Sequence, residues 1–348
     1  MRQLLTLFVT ALLVVSNAGA WGASMHRLVT EVALDALPAD APSWLRNPET
    51  RQRAAFEANQ PDRWRGWPSL VLQHANEPEH YLDFEDLGEF GLTPETIPEL
   101  RMEYVRVMTV AKEKHPEKIS PYDAGKDPAR AREWPGFLLH AIAEHYAKLQ
   151  AAFNQERILE QVNNPAHRLQ LEEARALAIY HLGELSHFVA DAAQPLHTTK
   201  HYNGWIGENP AGYRWRERFH SYIDEGWAKK HGVNAETLRP HVKPDTVKLH
   251  ANDPWADVVA YVGRSHAQLE PLYALERDGK LDGEPGREMA FQQLGDGTSM
   301  LAALIWAAYT SAEPTEKQVS QWVMYDGQHT AASKPASAPA TQPAPVSP

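Results

Sequence analysis

From Leu28 onward apolar residues recur at helical spacing. Leu28, Val29, Val32, Leu34 and Leu37 share one stripe; Leu138, Leu139, Ile142, Tyr146 and Leu149 form a second, and Ala174, Leu177, Ala178, Leu182, Leu185, Phe188 and Val189 a third. Steps of three and four residues lay side chains along one face of an α-helix, and no long run alternates apolar and polar as a half-buried strand does. Further helices are predicted around 98–114, 153–162, 215–230, 254–272 and 286–310, with the Pro/Gly-rich stretches 61–68, 203–212 and 281–286 as connections. The pattern predicts an all-α fold. Residues 21–325 read as one domain, since no linker-like composition interrupts them and no repeat is visible.

The two ends depart from this pattern. Residues 1–20, MRQLLTLFVTALLVVSNAGA, join one Arg to an apolar run and close on small residues. That is the form of a signal peptide with cleavage before Trp21, and the apolar run is too short for a stable membrane span. The chain is therefore expected to be exported, secreted or periplasmic. Residues 326–348 end in an Ala/Pro/Ser-rich stretch that reads as a disordered tail. There are no cysteines, so stapling has to come from core burial or metal ions. The formal charge of −11 argues against a protein that coats duplex DNA through a basic surface, while leaving room for a local cationic pocket.

Candidate chemistry concentrates in HFVADAAQPLH, residues 187–197. His187 and Asp191 stand four apart, so on a helix they project from one face and can share a metal. Gln194-Pro195 should stop that helix and turn His197 toward the same region. RFHSYIDEGW carries a second pair at the same spacing, His220 and Asp224. Taken alone, each pair is equally well explained as a helix-surface hydrogen bond. Upstream stand His26, Asp62 and His80. His26 lies five residues after the proposed new amino terminus, whose α-amino group titrates near neutrality and can chelate together with its own carbonyl oxygen.

In combination and order these pieces resemble the superfamily of zinc-dependent phospholipases C and single-strand-specific nucleases, trinuclear-zinc phosphodiesterases on a mostly helical fold. The resemblance spans Trp21 to Asp224. It implies one zinc on Asp62, His80, His187 and Asp191, a second on His197, His220 and Asp224, and a third on His26 with the Trp21 amino and carbonyl groups, Asp191 bridging the first and third. Imidazole nitrogen and carboxylate oxygen without thiolate suit zinc, although manganese or iron share that preference. Three zinc ions, Zn2+, would make the pocket locally cationic on an acidic protein.

The resemblance also implies roles. Asp62 would orient the attacking water, and Arg65, three residues on in PDRWR, would stabilise the charge of the in-line transition state; neighbouring Arg63 is its competitor. Tyr81, next to His80 in EHYLDFED, is either a base-stacking residue or a core tyrosine, and Asp83 is a weaker substrate-binding candidate. The other twelve histidines read as structural or exposed.

The WG preceding His26, the Asp62/Arg65 spacing and HYLD lean toward a nuclease acting on single-stranded nucleic acid or nucleotides. HSYID leans toward a phospholipase C acting on phosphatidylcholine-like lipids, and the Gly-Gly-Asn usual after QPLH in the nucleases is missing from HTTKHYNGWIGENPAG. Trp64, Trp67, Trp205, Trp215 and Trp227 are the aromatics that could meet a bilayer. A non-catalytic, zinc-stabilised periplasmic protein is the third reading. No obligate protein partner is inferred, and 88–165 has no counterpart in the resemblance.

Overall fold

A computed structural model describes residues 21–119 and 121–326; the proposed leader and nearly all of the proposed tail lie outside the described residues. The fold is all-α, and among the described residues the ladder contact is a single isolated bridge between Leu82 and Gly136. In chain order come α1 (Ala23–Asp35), α2 (Pro48–Glu57), α3 (Gln60–Gly66), α4 (Leu70–Asn76), α5 (Phe84–Glu89), α6 (Arg101–Lys114), α7 (Leu138–Val162) and α8 (Arg168–Ala193). The helices Trp255–His266, Leu269–Arg277 and Glu284–Thr310 complete the framework. None of the described helices is long and apolar enough to cross a membrane.

α7 and α8 form an antiparallel hairpin, as the pairing of Glu156 with Arg175 and of His145 with His181 shows. α7 ends where Asn163 takes the left-handed conformation (φ 46°), a role that asparagine tolerates. Two apolar stretches predicted as separate helices merge in α7, because Gln150-Ala151-Ala152 between them are good helix formers.

Two connections and two helices differ from the sequence reading. The stretch 61–68 contains α3, since Pro61 sits in the first turn, where a missing N–H costs nothing. Pro285 likewise opens Glu284–Thr310. The helix expected over 215–230 is a three-residue turn Phe219–Ser221, a π-helical segment Tyr222–Trp227 and a last turn Ala228–Lys230. Residues 254–272 divide into two helices at Ala267-Gln268.

α8 is the centre of the packing, with α1, α2, α7 and the helices Trp255–His266 and Glu284–Thr310 around it. Its second half is buried on every face, and burial continues without a break from Leu182 to Thr199. Gly183 permits the tightest approach: a Cβ there would lie 2.4 Å from Glu57 Cβ and 2.9 Å from the Ala54 carbonyl oxygen on α2. A helix buried all round is normally apolar all round. This one carries Glu184, Ser186, His187 and Asp191 inside, and polar groups taken out of water at such a place need partners.

Candidate metal centre

The partners come from four directions. On α8, His187 points its Nδ1 at the Ala58 carbonyl, 2.8 Å away just beyond the end of α2, so the N–H sits there and the Nε2 lone pair faces the interior. That Nε2 is 3.3 Å from Asp191 Oδ2 and 3.0 Å from His80 Nδ1. His80, on the short turn Glu77–His80, is itself 3.0 Å from Asp191 Oδ2. From α1, His26 stacks on His187 with centroids 4.1 Å apart, and its Nε2 is 3.4 Å from Asp191 Oδ1. Thr30 fastens α1 here, donating to the His26 carbonyl at 2.7 Å and sharing a 2.6 Å bond with Ser186. Asp191 thus turns one oxygen to His26 and the other to His80 and His187.

α8 stops at Ala193, as the Gln194-Pro195 step predicts, and His197 follows on a short turn, Pro195–Thr198. His197 Nδ1 donates to the His80 carbonyl at 2.6 Å, which leaves Nε2 bare and 3.0 Å from His220 Nε2. His220 Nε2 is 3.5 Å from Asp224 Oδ2 across the start of the π-helical segment, a rare geometry frequent at functional sites. Gln194 joins the two pieces, since its amide donates to Asp224 Oδ1 at 2.8 Å while its carbonyl accepts from Leu196 N at 2.9 Å. The amino-terminal segment lies against the same turn. Gly22 N donates to the Asp224 carbonyl at 2.9 Å, and the fully buried Trp21 indole stacks on Trp227.

These residues form three groups able to hold metal ions: His26, Asp62 and His187; His80, His187 and Asp191; and His197, His220 and Asp224. The residues suit bound ions in two respects. Both His26 ring nitrogens, Asp191 Oδ1, Asp224 Oδ2 and His220 Nδ1 are buried without a hydrogen-bond partner, which is costly unless something else satisfies them. The separations of 3.0–3.5 Å quoted for these ligand pairs also bracket the edge of a tetrahedron around zinc, about 3.3 Å for bonds near 2.0–2.1 Å.

The titration behaviour points the same way. Burial lowers His26 to about 3, with the neighbouring His187 adding to it, and lowers His80 to about 4. Burial also drives the Asp224 carboxyl well above the carboxylate range. For Asp191 burial acts upward but the facing His187 and His197 hold it well below that range, and for His187 burial acts downward while Asp191 prevails and raises it to about 9. A ligating carboxylate is ionised and a ligating imidazole neutral, so metal uptake would draw protons from Asp224 and His187.

Asp62, on α3, falls in one group with His26 and His187, and Arg65 holds its Oδ1 at 3.1 Å. Trp21 contributes a buried indole, and in the full-length chain its nitrogen is an amide bonded to Ala20; an amine able to chelate exists only after cleavage.

His80, His197 and His220 reach the wall of a narrow cleft that Arg65 also lines. Arg63, the competing guanidinium, is engaged elsewhere: it donates to the Phe56 carbonyl and lies over the Phe56 ring. Tyr81 borders the cleft as a buried wall, its hydroxyl donating to the Ala131 carbonyl at 2.7 Å. Gly136 comes so near that a Cβ there would be 1.9 Å from the Tyr81 carbonyl oxygen, and the Arg132 guanidinium lies over the ring, 5.0 Å from its centroid. A base could stack on that face only by displacing Arg132. Asp83 is buried at the cleft, where desolvation and the nearby Asp86 push its carboxyl up to about 8.

Neither protein-family models nor curated proteins give a match to the chain. Three residues at the site escape the sequence reading. Gln194 is visible within QPLH, but its bridge to Asp224 spans 30 residues of chain. Arg132 and Tyr202 have no motif at all and meet at the cleft only through tertiary structure.

Proposed function

We propose that the chain is an exported zinc-dependent phosphodiesterase of the phospholipase C and single-strand nuclease type, holding three zinc ions and acting as a nuclease on single-stranded DNA or RNA. The observation that carries this reading is the shared cleft. Structural metal sites are closed, whereas His80, His197 and His220 border an opening that also presents Arg65. Zinc bound there supplies Lewis-acid stabilisation of phosphoryl oxygens and a water of lowered pKa. The chain's own residues do the rest. Ala58 and the His80 carbonyl fix the tautomers of His187 and His197, Asp62 orients water, and Arg65 meets the charge that grows on the phosphate oxygens.

One observation favours the lipid alternative. Directly after Arg65 the chain exposes Trp67 (63%), Leu70 (55%) and Val71 (81%), an apolar edge of the kind that enters a membrane surface, whereas Trp227 is fully buried and stacked on Trp21. The test uses protein beginning at Trp21, assayed with and without chelator on single-stranded DNA, RNA, a 3′-nucleotide and phosphatidylcholine micelles. Chelator-sensitive cleavage of the nucleic acids is expected. Phosphocholine release without nucleotide cleavage would replace this reading with the phospholipase, and inactivity on all four would leave a zinc-stabilised structural protein.

A further inference from the structure

The loop before α7 delivers one side chain to the cleft and is built to do so. Asp127 accepts from the Ala131 and Arg132 backbone N–H groups at 2.8 and 3.0 Å, Arg130 takes the left-handed conformation (φ 52°), and the Ala131 carbonyl receives the Tyr81 hydroxyl. A non-glycine residue at positive φ is held only where its surroundings require it. What the loop holds is the Arg132 guanidinium, 5.0 Å from the ring centroids of both Tyr81 and Tyr202. Tyr202 in turn packs edge-on against His220, a candidate metal ligand.

Two aromatic rings around a cation are also how a quaternary ammonium headgroup is recognised. Here the chain's own arginine fills the place. Glu77 engages one Arg132 nitrogen at 3.3 Å, and the side chain remains 43% exposed, so donors of its five-N–H fork are left for a ligand. Asp83 is the other acid in the cleft, and Arg65 the other guanidinium.

We infer that Arg132 is the specificity-determining residue of the cleft: it occupies the Tyr81–Tyr202 pair, binds an anionic phosphate group of a nucleotide ligand, and bars a choline-type headgroup. The inference deepens the proposed function and rests on it for the identity of the ligand, but its test does not require turnover.

Zinc-loaded wild type, Arg132→Ala and Arg132→Gln are titrated calorimetrically with thymidine 5′-monophosphate and with phosphocholine, their unfolding temperatures serving as the check on folding. The wild type is expected to bind the nucleotide at least about tenfold more tightly than phosphocholine. Both variants should lose about tenfold or more for the nucleotide, as expected for a charge-assisted contact, and Arg132→Ala should gain affinity for phosphocholine. A ratio of the two affinities that stays within twofold of wild type in both folded variants overturns the inference, as does a wild type that prefers phosphocholine or binds neither ligand. Because the ratio is an equilibrium quantity, inactivity on phosphodiesters would refute the catalytic reading without touching this result.

Discussion

Replacing Gln194 by alanine probes how the second ligand group is assembled. Gln194 is fully buried and makes two bonds at once, to Asp224 Oδ1 and from Leu196 N. The lost bond to Asp224 is worth about 1 kcal/mol, and the orphaned Leu196 N–H adds about 1–3 kcal/mol. The metal-free variant should therefore be about 2–4 kcal/mol less stable in urea unfolding. With metal bound, Asp224 is ionised and its lost partner orients a ligand; removing such outer support typically weakens metal affinity about 10–100-fold, or about 1.4–2.7 kcal/mol. Competition against a chromophoric chelator measures that directly, and wild type and variant compared in both states give the coupling. A variant within about 0.5 kcal/mol of wild type, with metal affinity unchanged, would refute the assignment of Gln194 as the link between α8 and the π-helical segment.

Three further outcomes are expected. Arg65→Ala should lower turnover on a phosphodiester by more than about tenfold while metal content measured by mass spectrometry stays the same, and a smaller loss removes Arg65 from the transition state. The unfolding temperature of metal-free protein should peak near pH 6.5. On the acid side, His26 and His80, depressed to about 3 and about 4, stay neutral in the fold while the unfolded chain binds protons; on the alkaline side, the stabilisation from His187, raised to about 9, is lost as pH climbs toward that value. A scan from pH 4 to 9 in chelator checks both limbs. Gly183→Ala should destabilise by about 1–3 kcal/mol despite the better helix propensity of alanine, because the new Cβ meets α2, and calorimetric melting decides it.

The helices were legible because each buries one face for much of its length, and that periodicity is written locally. The second half of α8 was legible only in part: His187 and Asp191 could be put on one face, but nothing local says that the other faces are covered by α1, α2 and Glu284–Thr310. The π-helical segment leaves no mark in SYIDEGW, and α3 looks like a connection in the sequence because proline reads as a breaker until its position in the first turn is known. Arg132 was unreadable for a different reason. Its significance comes from meeting Tyr81 and Tyr202 across 51 and 70 residues of chain, a juxtaposition that no spacing rule encodes.

Asp191 turns one oxygen to His26 and the other to His80 and His187, and this sharing has a consequence for how such a centre fills. An ion that orders Asp191 through one oxygen fixes the other oxygen for the neighbouring position and so prepares it for the next ion. Occupancy of these two positions should then be cooperative, and at a limiting supply of metal the molecules would divide into empty and filled populations instead of sharing the ions evenly. A metal-poor supply would thus give fewer complete copies, not many half-built ones.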